Sequence, residues 1–290
     1  MRILILALLL AAIFGLFCPV LQSRLRRIGA WIWAAPPLLT AFFAFAAAIA
    51  GVRSLPLVLM VLAYTLGPVA VVFVAGRRAN SGSPHALDFL AILMLWLPIE
   101  FGAGQSLIPR PPQGFLHSVA YGIAILLGLA LFLGFRRLPG MKYNLPGAGR
   151  DGWLPVAAFV LLAPVLIVLG IAIGFLSFPH LPVQPASRMA AAAGIIFAGT
   201  ALPEEILFRA LIQNLLYLRF GARPGTLLAA AVIFGCAHLD NGPQPLPNWR
   251  YAILATIAGW AYGKVFEKSS TVLSSALLHT LVDWTKHFFF

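Results

Sequence analysis

Residues 153–178 read WLPVAAFVLLAPVLIVLGIAIGFLSF, and no charged side chain interrupts them. A helix of about 20 apolar residues crosses the hydrocarbon core of a bilayer, so this stretch is long enough for one crossing. Its apolar residues are continuous rather than alternating, which excludes the strand of a membrane barrel. The stretch therefore predicts a membrane-spanning helix.

Apolar runs of the same kind recur along the whole chain, bounded by clusters of Arg, Pro and Gly. The ten runs cover residues 3–21, 30–51, 56–76, 86–101, 116–135, 153–178, 189–218, 225–239, 250–266 and 271–289. The fourth and eighth runs are short for a full crossing, and the seventh is long with Pro203 inside it. We therefore expect an all-α, polytopic integral membrane bundle of eight to ten transmembrane helices.

The composition leads to the same class of protein. The 290 residues are 61% hydrophobic and 10% charged, whereas soluble domains carry roughly 25% charged residues. The net charge of +12 is explained by basic loops facing the cytoplasm, so we expect the lipid bilayer as a partner and no nucleic acid. Cys18 and Cys236 lie far apart in apolar runs, which excludes a disulfide framework.

The first apolar run has the outline of a signal peptide, since Arg2 precedes the apolar residues 3–17. No small-x-small cleavage site follows it, however. Phe17 before Cys18 also does not fit a lipoprotein signal. We expect an uncleaved first helix.

Ionisable side chains are costly at membrane depth, so they face a protein interior or a water cavity and indicate function. Of the eight acids, Asp151 and Glu267 lie in basic loops and Asp88 and Glu100 lie near the ends of the fourth run. The other four fall in the last third of the chain, where an arginine and two histidines join them as candidates. These residues are Glu204, Glu205, Asp240, Asp283, Arg209, His238 and His279. The chemistry of the chain is therefore expected in its last third.

The first group is the stretch Pro203-Glu204-Glu205-Ile206-Leu207-Phe208-Arg209. On a helix, Glu205 and Arg209 are spaced i, i+4 and are expected to form an ion pair. Glu204 points about 100° away, to another face. The alternative is an ordinary helix start, with Pro203 at a first helical position and acids in the first turn.

The histidines form two further groups. His238 ends an apolar run with Phe234 one turn before it, and the alternative to a catalytic role is a helix cap or interface residue. His279 and Asp283 are one turn apart and can face one cavity, the alternative being an interhelical polar contact. Ser275 completes a nominal Ser, His, Asp stripe, although Ser in a membrane helix usually bonds to its own backbone.

Three motifs follow in order on successive apolar segments: Glu204-Glu205-x-x-x-Arg209, Phe234-x-x-x-His238 and His279-x-x-x-Asp283. This series resembles the CPBP family of intramembrane proteases, which includes the CAAX prenyl endopeptidases and the Abi bacteriocin-immunity proteins. The resemblance covers roughly residues 187–286. We accordingly expect N-terminal transmembrane helices without a motif in residues 1–180 and a catalytic membrane core in residues 187–290.

The resemblance implies peptide-bond hydrolysis in a membrane-embedded cavity by six catalytic residues: Glu204, Glu205, Arg209, His238, His279 and Asp283. It implies that Glu204 and His238 activate the water. It implies that Arg209 holds Glu205 in place, and that His279 with Asp283 stabilises the oxyanion. The last motif of the family most often ends in Asn, so Asp283 is a departure from the pattern.

The sequence leaves alternatives for the cofactor and for the overall function. Two His and two Glu are the ligand types of a zinc site, but no His-Glu-x-x-His is present, and we expect a glutamate-dependent mechanism without a metal or other cofactor. The alternative to a protease is a membrane transporter or an immunity protein that binds without catalysis. A transporter would favour internal repeats, and none is evident.

The substrate and the cellular location are expectations of a more general kind. The short loops and the basic, Ala-rich and Leu-rich composition look prokaryotic, which suggests a multi-pass protein of the inner membrane. We expect a membrane-anchored protein or peptide as the substrate, such as a C-terminal sorting segment.

Overall fold

The structure is a computed structural model that describes residues 1–108, 113–242 and 245–290. Within these residues every regular element is a helix, which confirms the all-α class. Each of the ten apolar runs has a helical counterpart. The chain divides into two compact units, Met1–Pro139 and Gly140–Phe290.

The N-terminal unit is built from six α-helices in its described part: α1 (Arg2–Gly15), α2 (Pro19–Leu25), α3 (Ala35–Ile49), α4 (Leu55–Arg78), α5 (Ala86–Glu100) and α6 (Gln113–Leu129). A 3₁₀ turn, Gly29–Ala34, leads into α3, and a π-helical segment, Ala130–Phe135, extends α6. Ile5 and Leu9 of α1 pack with Phe43 of α3 and Leu116 of α6 in the buried core.

The first apolar run is not one straight helix. It is broken between Gly15 and Pro19, and α1 and α2 meet at a bend of 89°. Pro19 lies at the start of α2, where its missing N–H costs no helical hydrogen bond. The predicted first helix over residues 3–17 corresponds to α1, and the remainder of the apolar run lies in a separate helix because Pro19 begins α2.

The C-terminal unit contains seven described α-helices: α7 (Arg150–Ala172), α8 (Ala186–Ile196), α9 (Leu202–Glu205), α10 (Asn214–Phe220), α11 (Pro224–Cys236), α12 (Trp249–Lys268) and α13 (Val272–Phe289). Two π-helical segments, Phe197–Ala201 and Ile206–Gln213, join α8, α9 and α10 into one helical stretch. Helix α13 packs against α7, α9 and α12. Helix α11 packs against α12 and the segment Ile206–Gln213, so the three sequence motifs lie on helices that are packed together.

Helices α11 and α12 cross closely because glycines lie at the contact. A Cβ atom on Gly235 would come within 2.6 Å of the Ala252 carbonyl oxygen, and one on Gly259 within 2.9 Å of the Phe234 ring. Small residues let membrane helices approach in this way. The crossing fixes where Phe234 and His238 stand relative to α12.

Four helical segments of the described chain are long and apolar enough to cross a membrane: Gly29–Ile49, Leu55–Arg78, Gln113–Phe135 and Arg150–Ala172. The bent pair of α1 and α2 makes a fifth if it counts as one span. An integral membrane protein with several apolar helices is thus confirmed. The count of eight to ten was made from apolar runs, and the motif-bearing runs form helices that are shorter or more polar than these four.

The predicted division into residues 1–180 and 187–290 concerned motifs rather than compactness. By compactness the boundary falls earlier, after Pro139, so that α7 belongs to the same unit as the three motifs. The division by motifs itself stays a prediction.

Candidate active site

The first motif lies in the middle of a helical stretch. The backbone is helical from Ala186 to Phe220, and Glu204 and Glu205 stand between its two π-helical segments. A π-helical segment relaxes the bonding pattern around Pro203, whose ring removes a backbone donor. Such segments are frequent at functional sites. The two acids therefore belong to the interior of this stretch and not to the beginning of a separate helix.

Glu205 and Arg209 form the predicted ion pair, with Arg209 Nε donating to Glu205 Oε2 at 3.0 Å. Both side chains are fully buried. The guanidinium carbon lies 4.8 Å from the Phe234 ring centroid and 5.8 Å from that of Tyr262. Among the described residues, the two Nη atoms have no hydrogen-bond acceptor. Aromatic faces therefore supply much of the contact that this cation makes.

His279 of α13 is at the centre of the cluster. Its Nδ1 is 3.1 Å from Glu205 Oε1, and its Nε2 is 3.4 Å from Asp283 Oδ2 and 3.9 Å from Glu204 Oε2. The imidazole also stacks on Tyr262, with ring centroids 4.7 Å apart. Both glutamates of the first motif thus reach one imidazole.

The three carboxylates around His279 differ in accessibility. Glu205 is completely buried, whereas the side chains of Glu204 and Asp283 keep 22% and 27% of their surface exposed. A buried, paired carboxylate is suited to positioning its neighbours. Glu204 and Asp283 are therefore the two partly exposed acids of the cluster, and of these two Asp283 lines the neighbouring cavities.

His238 is oriented by its own helix. Its Nδ1 lies 2.8 Å from the carbonyl oxygen of Phe234, which only accepts hydrogen bonds, so Nδ1 carries the proton. In the neutral imidazole this leaves the lone pair on Nε2. The ring contacts Phe234 and Tyr251, with centroids 4.7 and 4.5 Å away. The backbone bond therefore prepares Nε2 to accept a proton.

A cavity of about 70 Å³ lies beside these residues. His238, His279 and Asp283 contribute to its lining, which is otherwise mainly apolar. One water molecule takes up about 30 Å³ of liquid, so the cavity has room for a water or a small aliphatic group. Asp283 also lines a larger adjoining cavity of about 400 Å³, whose wall it shares with Tyr251 and Lys286.

Sequence reasoning passed over three residues of this site. Tyr262 stacks on His279, and Tyr251 contacts His238. Lys286 lines both cavities, with its Nζ 4.2 Å from the Tyr251 ring centroid. Lys286 carried a detectable signal, because it lies one turn after Asp283 on the same helix. The tyrosines carried none, since an aromatic residue in an apolar helix is ordinary.

Two remaining candidates play other parts. Ser275 donates its hydroxyl to the Val272 carbonyl oxygen at 3.0 Å, which is the backbone bond expected of Ser in a membrane helix. Asp240 is exposed in the turn that follows His238.

Across the described residues, no group of three or more His, Cys, Asp and Glu side chains is arranged to hold a metal ion. The expectation of a reaction without a metal stays a prediction.

One comparison with known proteins matches the part of the chain that contains the three motifs. Residues 186–285 match the family model described as Type II CAAX prenyl endopeptidase Rce1-like. This match confirms the resemblance of the motif-bearing segment to the CPBP family. No curated protein and no solved structure matches the chain.

Proposed function

We propose that this membrane protein is an intramembrane endopeptidase that hydrolyses a peptide bond by means of a water molecule activated by Glu204 and His238. The observation that carries the proposal is the cluster around His279, in which the partly exposed carboxylates of Glu204 and Asp283 and the buried Glu205 of the Glu205–Arg209 pair approach one imidazole. The family match favours this reaction, and nothing in the match favours a transporter or an immunity protein.

The proposed reaction begins with removal of a proton from water by Glu204, assisted by the Nε2 lone pair of His238. The water oxygen then bonds to the carbonyl carbon, and the carbonyl oxygen becomes an oxyanion. When the C–N bond breaks, the C=O bond re-forms and the proton held by the base passes to the leaving nitrogen, which yields a carboxylic acid and an amine. A carboxylate or an imidazole in reach of the water is sufficient for this transfer, and no Ser or Cys nucleophile is required.

The oxyanion is assigned to His279, with Asp283 beside it. Asp283 Oδ2 is 3.4 Å from Nε2 of His279, which is longer than a normal hydrogen bond. An oxyanion that approaches Nε2 therefore displaces a weak contact rather than a strong one. The buried Glu205 holds the opposite nitrogen, Nδ1, at 3.1 Å and keeps the ring in place. Donors aimed at a developing oxyanion contribute about 10² to 10³ each in rate.

The substrate we propose is a membrane-anchored protein or peptide, and the location is the inner membrane of a prokaryotic cell.

The test of the proposed reaction is reconstitution of the purified chain in proteoliposomes that contain a library of lipid-anchored peptides. Mass spectrometry would detect new carboxyl and amino termini. We expect cleaved products with the wild type and none with Glu204→Gln. An equal set of products from both proteins would contradict the proposal.

Substitution of Asp283 separates two roles for this residue. If Asp283 acts as a hydrogen-bond donor, like the Asn of related proteins, Asp283→Asn should keep activity within about tenfold and extend it to higher pH, because an amide has no proton to lose. Asp283→Ala should lose roughly 10² or more. The measurement is the pH profile of cleavage, with the exposed Asp240→Asn as the control. An Asn variant as inactive as the Ala variant would mean that the site uses the negative charge.

Removal of metal tests the proposed absence of a cofactor. Dialysis against a chelator should leave cleavage unchanged, and elemental analysis should find less than one zinc per chain. Activity that is lost on chelation and restored by zinc would instead give the glutamates and histidines ligand roles.

A further inference from the structure

The second feature of interest is a groove in the N-terminal unit, far along the sequence from the motifs. It has a volume of about 340 Å³ and lies at the bend between α1 and α2. Its lining consists of Pro19, Gln22, Ser23, Arg26, Arg27 and Arg137. Three guanidinium groups and two neutral polar side chains thus share one groove, and no carboxylate is part of this lining.

Arg137 is held in the groove at a conformational cost. Its φ is 53°, a left-handed backbone conformation that is uncommon for a residue with a side chain. The side chain is fixed by a hydrogen bond in which Nη2 donates to the Arg26 carbonyl oxygen at 2.5 Å. The bond brings the guanidinium of Arg137 to the end of α2, next to two other cations. Such costly placement is typical of functional positions.

The groove lies at the basic end of the unit. The extension of α6 contacts α2, and Arg136 at its end donates to the Ala79 carbonyl oxygen at the end of α4, so the three helix ends lie together. These ends carry seven arginines: Arg24, Arg26, Arg27, Arg77, Arg78, Arg136 and Arg137. The segment 1–139 holds two acids, Asp88 and Glu100. Asp88 is occupied by Arg136, whose Nε donates to its Oδ1 at 2.9 Å. Within the described ion pairs of this unit, the groove arginines have no carboxylate partner.

The depth of the groove in the membrane follows from its neighbours. Helix α2 is turned by 89° from the apolar helix α1. The 3₁₀ turn that follows α2 carries Trp31, which is 79% exposed, and Trp33, which is 39% exposed. Exposed Trp at the end of a membrane helix is typical of the interface with water. The groove is therefore at the level of the lipid headgroups.

We propose that this groove binds the phosphate of an anionic phospholipid headgroup. Arginine forms two parallel hydrogen bonds with phosphate oxygens, and three arginines around one groove match the charge and the number of acceptors of a phosphodiester. Basic ends of membrane proteins face the cytoplasm, where anionic lipids attract them. Arg137, fixed by its bond to α2, makes the groove a defined site rather than a diffuse basic surface.

The test uses the full chain in neutral detergent micelles, in which no charged bilayer attracts the protein. Native mass spectrometry would compare binding of phosphatidylglycerol with that of phosphatidylcholine carrying the same acyl chains. The groove variant is R26Q/R27Q/R137Q. The matched control is R24Q/R77Q/R78Q, which removes the same charge at the same end of the unit but outside the groove lining.

We expect one phosphatidylglycerol to be retained at least about tenfold more tightly than phosphatidylcholine. The groove variant should bind it roughly 100-fold more weakly, at about fivefold per arginine, and the control within about threefold of the wild type. If the triple variant does not fold, the single variant R27Q provides the test, and its affinity for phosphatidylglycerol should be about fivefold lower than that of the wild type. Equal losses in the groove variant and the control, equal binding of both lipids, or displacement of the lipid by 1 mM inorganic phosphate would each overturn the proposal.

Discussion

Replacement of Glu204 by Gln is expected to lower the rate of peptide cleavage by about 10² to 10⁴, the usual contribution of a general base. Gln keeps the size of the side chain and its position 3.9 Å from His279 Nε2, but it cannot take a proton. Because 22% of the Glu204 side chain is exposed, the change should not unfold the protein.

The measurement is the cleavage rate in proteoliposomes together with the yield of folded protein. The matched control is Glu100→Gln, an exposed residue of α5 that accepts a hydrogen bond from Trp96 Nε1. We expect both variants to be produced at the wild-type level and the control alone to cleave at the wild-type rate. A Glu204→Gln protein that cleaves at the wild-type rate would show that another group activates the water.

Replacement of Arg209 by Ala should affect both folding and activity. It leaves Glu205 buried without its cationic partner, and breaking such a pair costs about 3–5 kcal/mol in the free energy of unfolding. It also removes the contacts of the guanidinium with Phe234 and Tyr262. We expect a lower yield, a lower melting temperature and little cleavage, as also for Glu205→Gln.

A double-mutant cycle separates the pair from its surroundings. The double variant E205Q/R209M contains neither charge. Its loss of unfolding free energy should therefore be smaller than the sum of the losses of the single variants E205Q and R209M. The control is Arg219→Ala, an exposed position on α10 of the same helical stretch. Unfolding free energies in mixed micelles measure the effect. Additive losses would indicate that the two side chains do not stabilise each other.

Contacts within one helix were predictable from the sequence. The i, i+4 spacing of Glu205 and Arg209 predicted an ion pair, and the structure contains it. The spacing of His279 and Asp283 predicted a shared face, and their side chains approach to 3.4 Å. These contacts are fixed by helical periodicity, which a single sequence displays.

Contacts between helices were not predictable in the same way. A rotation of about 100° per residue places Glu204 and Glu205 on different faces, yet both reach His279, because its ring stands between two long side chains. That position depends on how α13 packs against α9. The contact of Arg209 with both Phe234 and Tyr262 depends on the close crossing of α11 and α12, for which Gly235 and Gly259 were weak signals.

Membrane crossing shows a similar limit. Apolar runs located the helices to within a few residues, but the break before Pro19 turned one run into two helices. Hydropathy alone also does not show which helices cross the bilayer. A helix that carries the polar residues of a site contains fewer apolar residues, and its mean hydropathy is therefore lower.

The π-helical segments on both sides of the two glutamates have a consequence for how this chain tolerates changes in length. A π turn closes i→i+5 bonds where an α turn closes i→i+4 bonds, so it accommodates one residue that a regular helix would not. Deletion of one residue beyond Arg209 within this segment would let the helix become regular and would largely keep the register of α10, whereas the same deletion in a regular α-helix would rotate everything beyond it by about 100°. A one-residue gap is therefore expected to be better tolerated here than in a regular helix, as long as it leaves the i, i+4 spacing of Glu205 and Arg209 unchanged.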